Sequence, residues 1–242
     1  LVDTKSEIVI SVEDLNKEFV LKKAMFKRNR SNLQAVKDVS FSIKTGETFG
    51  LVGESGSGKS TVARLIAGLL RIDKGTVKLF DKDVTNKFKD KEVVTAKRSL
   101  QMIFQDPMSS LNPRHRVGAI IGGPLKLHGF ERVDFLIEEA LDQVGLPKSF
   151  KFRYPHELSG GQRQRIGIAR AIAVKPNFIL ADEIVSGLDV SSQAKILSLL
   201  QKLVIDLGLT LAFISHDLSV VRRLSNKIIV LKEGALIESS LT

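Results

Sequence analysis

Eight consecutive residues constrain this chain more than anything else in it: Gly53-Glu54-Ser55-Gly56-Ser57-Gly58-Lys59-Ser60 satisfies the pattern G-x-x-x-x-G-K-[ST] in full. A short apolar run, Thr48-Phe49-Gly50-Leu51-Val52, precedes it, and an apolar-periodic stretch from about Ser60 to Leu70 follows, so the loop is expected between a buried strand and a helix. One task explains these residue types. Glycines let successive backbone N–H groups turn inward around an anion, and the next helix adds the positive potential of its N-terminus. Lys59 then bridges the β- and γ-phosphates of a nucleotide and the Ser60 hydroxyl ligates Mg2+, with Thr61 closing the nucleotide-binding run. The bland alternative, a glycine loop that only turns the chain, does not account for both the spacing and the strand–helix context. A dinucleotide site is excluded, because G-x-G-x-x-G is absent here.

Around this unit, strand and helix signals alternate. Residues 8–12 read as a strand, the polar and basic stretch 22–34 as a loop, and residues 36–43 as a second strand. Apolar runs at 178–181 and 209–214 each precede a helical pattern, and 227–231 supplies another strand. That alternation predicts an α/β fold, a parallel sheet with helices on both faces. The middle third differs: 134–144 and 162–173 read as helices with no clear strand between them. A single domain is expected, with 1–105 and 171–242 forming the nucleotide-binding core and 106–170 a helical insert.

Composition narrows the setting. Hydrophobic residues at 43% and charged residues at 26% are those of a soluble globular protein. No stretch approaches the roughly 18 consecutive apolar residues that span a bilayer, since Lys175 and Asp182 interrupt the most apolar region, so any link to a membrane is expected through a partner. Leu1-Val2-Asp3-Thr4-Lys5 lacks the apolar core of a signal peptide, and the chain has no cysteine, which excludes disulfides and thiolate metal sites and fits a reducing cytoplasm. A first residue other than Met leads to the expectation that the natural protein extends past either end of this sequence. The net charge of +10 invites a nucleic-acid reading. Lys and Arg are nonetheless spread along the chain, with one modest cluster at Lys22, Lys23, Lys27, Arg28 and Arg30, and stacking aromatics are scarce, so no direct nucleic-acid partner is expected.

A phosphate loop alone leaves kinases, GTPases, helicases and motors open. At the end of the apolar run 178–181 come Asp182 and Glu183, two carboxylates at the carboxyl edge of the predicted sheet. Asp182 is read as supporting Mg2+ and Glu183 as the general base that orients and deprotonates water. Taken alone, such a pair is an ordinary solvated turn; the phosphate loop makes it a candidate.

Leu158-Ser159-Gly160-Gly161-Gln162 then matches the LSGGQ signature, and on it the chain resembles the ABC ATPases. The likeness covers nearly the whole sequence. It implies a RecA-like P-loop NTPase core with an N-terminal antiparallel β sub-domain and an inserted α-helical sub-domain. It also implies an obligate dimer, in which Ser159, Gly160, Gly161 and Gln162 of one subunit complete the ATP site of the other. Further positions follow from the same resemblance: Gln105 is similar to the Q-loop glutamine beside Mg2+ and the attacking water, and His216 to the switch histidine at the γ-phosphate. Ser186-Gly187-Leu188-Asp189 resembles the D-loop that crosses the dimer interface, Phe19 stands where an aromatic ring stacks on adenine, and Val36 would pack on the same nucleotide.

Within the family, the segments 104–113 and Tyr154-Pro155-His156-Glu157-Leu158 are most similar to the ATPases of oligopeptide, dipeptide and nickel importers, and the basic segment 25–30 to the second ATPase that such importers pair. Three positions depart from that pattern: Ile184 replaces the usual Pro, Gly187 the usual Ala, where it is expected to loosen the D-loop, and Phe19 the common Tyr. None removes a reacting group. The expected function is MgATP hydrolysis that powers peptide import, with ATP and Mg2+ bound. The expected partners are a second ATPase subunit in a homo- or heterodimer, transmembrane permease subunits and an extracytoplasmic substrate-binding protein. The expected place is peripheral, on the cytoplasmic face of the cell membrane. Two other classes compete. One is a non-transport ABC ATPase acting on nucleic acid or ribosomes, disfavoured by the lack of a long coiled coil or a second ATPase unit. The other is a binding module that holds ATP uncleaved, disfavoured by the intact Glu183 and His216.

Overall fold

A computed structural model describes residues 8–21, 31–87, 90–106 and 110–241. The start of the chain, the basic cluster within 22–30 and residues 107–109 of the importer-like segment lie outside the described residues. The chain divides into two compact units, Leu1–Lys97 with Ala212–Thr242, and Arg98–Leu211.

In the first unit, β1 (Ile8–Leu21) and β2 (Ser31–Lys44) pair antiparallel, β4 (Lys74–Leu79) pairs antiparallel with β1, and β5 (Lys82–Asp83) closes the sheet in the order β2-β1-β4-β5. Ile10, Val12, Leu15, Val39, Ile43, Val77 and Leu79 are buried, which fixes the register by putting the apolar set on one side. Both long strands outrun their sequence signals, which cover only 8–12 and 36–43. The extra length is polar, for example Glu13, Asp14, Asn32 and Gln34, and forms strand because cross-strand pairing satisfies its backbone N–H and C=O groups. Register shifts near Asp14, whose φ is 48, absorb the irregularity as a bulge.

Also in this unit, β3 (Thr48–Val52), buried at every residue, runs parallel to β9 (Lys227–Lys232), and β9 pairs antiparallel with β10 (Ala235–Leu241). Most of β8 (Thr210–Ser215), likewise buried throughout, belongs here and extends the order to β10-β9-β3-β8. Helix α1 (Lys59–Ile66) stops short of Leu70 because Gly68 takes a φ of 69 and the N–H groups of Leu69 and Leu70 turn back to Arg64 O, a left-handed glycine terminus. Helix α7 (Leu218–Leu224) lies close on β3 at Gly50, where a Cβ would come within 2.2 Å of Val221 Cγ1.

Helix α2 (Lys91–Arg98) leads into the second unit, where β6 (Leu100–Ile103) and β7 (Phe178–Asp182) pair in parallel. Helices α3 (Val117–Leu127), α4 (Val133–Gln143) and α5 (Gly160–Ala173) pack on one another, and α6 (Val190–Leu207) ends at Gly208 with a φ of 61. Helices α4 and α5 follow their periodicity. Helix α3 has no clear sequence signal, since Gly118, Gly122, Gly123 and Pro124 are poor helix formers. Its stability comes from Val117, Ile121 and Leu125, all fully buried, through packing that overrides propensity. The architecture is α/β with a mostly parallel sheet, a separate antiparallel sheet and a helical cluster.

Candidate nucleotide site

The phosphate loop joins β3 to α1 as its spacing predicts. A Cβ at Gly53 would stand 2.2 Å from Leu231 O and 2.5 Å from Ser57 Oγ, and one at Gly58, whose φ is 102, would stand 2.3 Å from Ala35 O. Gly56 also has a positive φ, 82, so three glycines are demanded by close approach or backbone sign. A relay braces the loop: Gly234 N–H donates to Ser57 O at 3.0 Å, and Gly234 is itself held by Lys37 N–H, which donates to Gly234 O at 2.8 Å. Gly53→Ala is expected to destabilise the chain by about 1–3 kcal/mol, because backbone at Leu231 must move. An unchanged denaturant midpoint would show that the loop yields freely.

Lys59 is only 4% exposed, and its Nζ donates to Gly53 O and Glu54 O, each at 2.8 Å, so the ammonium is drawn inside the loop. Ser57 Oγ is buried with no hydrogen-bond partner, an orphan that a phosphate oxygen would satisfy. Ser60 and Thr61 are half-buried in the first turn of α1, while Glu54, Ser55 and Gly56 form the exposed rim.

Phe19 lies near the end of β1, half-buried and paired across the hairpin with Leu33. Val36 requires a correction: at 0% exposure it is a core side chain of the β1–β2 sheet and offers no surface on which a nucleotide could pack. Its strand still matters, since Ala35 O confronts Gly58. His216 is exposed, one residue beyond the buried end of β8. Asp217 fixes the next turn as the cap of α7, accepting from Ser219 N–H at 2.9 Å and Ser219 Oγ at 2.6 Å. Those bonds hold its carboxyl below the usual carboxylate range against the opposing pull of partial burial.

In the second unit, Asp182 ends β7 at 3% exposure, and Glu183 follows half-buried with a φ of 47. A left-handed glutamate is strained, the kind of cost that persists where the surrounding fold over-determines a residue. Ser186 N–H closes the turn on Glu183 O at 3.0 Å. Ile184 is buried, so the residue in the usual proline position serves as an apolar anchor. Gly187 sits at a φ of 74, so glycine relieves this turn, where a Cβ would strain it, and the expected loosening is not what the backbone indicates. Asp189 is exposed and caps α6 through Ser192 N–H at 2.9 Å; the Ser192 hydroxyl first, and this N–H second, hold its carboxyl below the usual carboxylate range. Gln105 is exposed two residues past β6.

Ser159 caps α5 in a reciprocal box: its Oγ accepts from Gln162 N–H at 3.3 Å, and Gln162 Oε1 accepts from Ser159 N–H at 3.0 Å. The Gln162 carbonyl is thus engaged in building the helix start. Leu158 is buried beneath it, and Arg163 donates to Leu158 O. Cβ atoms at Gly160 and Gly161 would meet nothing nearer than 3.8 Å, so no contact within the chain explains these two glycines. Sequence reasoning missed Gly234 and Leu33: a glycine after Glu233 signals only a turn, and an isolated apolar residue in a polar stretch signals little.

The oxygen donors Ser60, Asp182 and Gln105 suit a hard cation such as Mg2+. Among the described residues, no group of three or more His, Cys, Asp or Glu side chains could hold a metal alone.

Residues 36–186 match the ABC transporter family. The chain is 45% identical to the oligopeptide transport ATP-binding protein AppF of Bacillus subtilis over 236 residues, 96% of this chain and 71% of that protein. It is 49% identical to the oligopeptide transport ATP-binding protein OppF of Streptococcus mutans over 218 residues, 88% of this chain and 70% of that one. A solved dimeric ATP-binding cassette, in a post-hydrolysis state with ADP and Pi, is similar at a TM-score of 0.82 and 31% identity, with 96% of this chain and 98% of that chain covered. These likenesses give no support to a non-transport ATPase acting on nucleic acid. With more than half of its residues inside the family match, and relatives this similar along most of their length, the chain belongs to the ABC transporter family as an ATP-binding, ATP-hydrolysing subunit.

Proposed function

We propose that the chain is one of two ATPase subunits, arranged head to tail, that power an oligopeptide importer through permease subunits from the cytoplasmic face of the membrane. The observation that carries the reading is the start of α5, where Gly160 and Gly161 occupy a helical first turn with room for a Cβ inside their own chain. Glycine costs a helix about 1 kcal/mol relative to Ala. A backbone left bare at a capped helix N-terminus suits the close approach of an anion carried by a second subunit. Similarity to oligopeptide transport ATP-binding proteins supports the substrate class. Among the described residues no helix is long and apolar enough to cross a membrane, and the reading assigns that crossing to the permeases. An extracytoplasmic binding protein would deliver the peptide.

Each residue then has a distinct task. Lys59 and the loop N–H groups from Gly53 to Thr61 neutralise the β- and γ-phosphates, Ser57 Oγ gains its missing partner, and Phe19 stacks on the base. Ser60, Asp182 and Gln105 would hold Mg2+. Once held there, Mg2+ would supply neutralisation of phosphate charge. Glu183 accepts a proton from water as the water oxygen attacks the γ-phosphorus, the bond to the bridging oxygen breaks, and ADP and inorganic phosphate result. His216 touches the γ-phosphate, Asp189 with its loop lies at the subunit interface, and Ser159 to Gln162 serve the nucleotide of the partner. Closure on ATP and opening after hydrolysis drive the permeases.

Co-reconstitution with the co-purifying permease subunits in proteoliposomes tests this reading. Hydrolysis should rise when oligopeptide and its binding protein are present and fall to background on chelation of Mg2+. Hydrolysis stimulated by DNA or ribosomes but not by permease would overturn it.

A further inference from the structure

Beside the candidate base-stacking ring lies a small charged network that neither catalysis nor the family assignment uses. The side chain of Lys17 is 12% exposed, and its Nζ lies 5.6 Å from the centroid of the Phe19 ring and 2.8 Å from Asp73 Oδ1. The other carboxylate oxygen, Asp73 Oδ2, accepts the N–H of Glu18, the residue next to Phe19, at 2.8 Å. Asp73 N–H in turn donates to Asn16 O at 3.3 Å. One aspartate, placed just before β4, thus grips the backbone beside Phe19 and also the cation over its ring.

We propose that Lys17 and Asp73 are positioning residues for the Phe19 ring, setting its orientation and electronics for stacking on the purine of the bound nucleotide. The proposal rests on the reading of Phe19 as the base-stacking residue. Its physical content has two parts. Phe19 lies two residues before the end of β1, and the double grip of Asp73 ties that end to the turn before β4. The ammonium attracts the ring's π density toward itself, which leaves the opposite face less negative and better matched to an electron-rich purine. A phenylalanine has no hydroxyl with which to fix its ring, so packing and the cation must do so. Leu33, paired directly across from Phe19 and 51% exposed, extends the same apolar platform.

Equilibrium titrations with MgATP and with Mg-tripolyphosphate, which has the phosphates but no base, separate the base contact from the phosphate cradle. Lys17→Met is expected to weaken ATP binding about three- to tenfold, with tripolyphosphate affinity and kcat unchanged, Lys17→Arg restoring ATP affinity and Asp73→Asn acting in the same sense as Lys17→Met. Unaltered ATP affinity in Lys17→Met, or equal weakening toward both ligands, would overturn the positioning role. Phe19→Ala separates the two levels. If it weakens ATP but not tripolyphosphate while Lys17→Met is silent, base stacking stands and the network has no part in it. If Phe19→Ala leaves ATP affinity unchanged, base stacking itself is lost, and the proposal with it.

Discussion

Exchanging Glu183 for Gln is expected to lower kcat for ATP hydrolysis by about 10²- to 10⁴-fold, the range contributed by a positioned general base, while ATP affinity stays near that of the unaltered chain. Gln has the same length and branching, so the left-handed backbone at φ 47 is strained to the same degree and the turn closed by Ser186 N–H is kept. What is removed is the carboxylate charge, and with it the group proposed to take a proton from water. With hydrolysis blocked, ATP should hold two subunits together, and phosphate release together with light scattering reads both effects. Turnover within a few-fold of the unaltered chain would remove Glu183 as the base.

Lys59→Ala acts on the other half of the reaction. It deletes a buried ammonium that donates to Gly53 O and Glu54 O, and with it the charge proposed to face the phosphates. A hydrogen bond involving a charged group contributes about 1.5–3 kcal/mol, so ATP affinity is expected to fall by about 10- to 150-fold. Titration with a fluorescent ATP analogue measures the loss directly, and unchanged affinity would take Lys59 out of the phosphate cradle. The two variants are distinguishable by design: one keeps ATP without cleaving it, the other fails to keep it.

The parts of the site legible in the sequence are those whose geometry is local. From Gly53 to Ser60 the spacing alone dictates an inward-turned backbone, because three positive-φ or clash-bound glycines leave few other paths. The start of α5 is legible for the same reason, since Ser159 and Gln162 lie three residues apart and cap each other. Asp182 and Glu183 follow an apolar run short enough to be only a buried strand. Legibility failed where distant residues decide. The polar halves of β1 and β2 read as loop until they are paired, and α3 reads as broken by Pro124 until Val117, Ile121 and Leu125 are buried.

The sequence by itself determined the alternation of strands and helices, the phosphate loop, the carboxylate pair and the capped glycine turn, because each depends on neighbours within a few residues and on backbone sterics. Only the tertiary structure decided that Val36 is core with no surface for a ligand, that Gly234 braces Ser57, and that Asp73 reaches Lys17 across 56 positions of sequence. Those outcomes depend on which surfaces exclude water and which backbone groups find partners once the chain is compact. No local pattern carries that information, because the energy of each contact is set by burial and pairing between segments far apart in sequence.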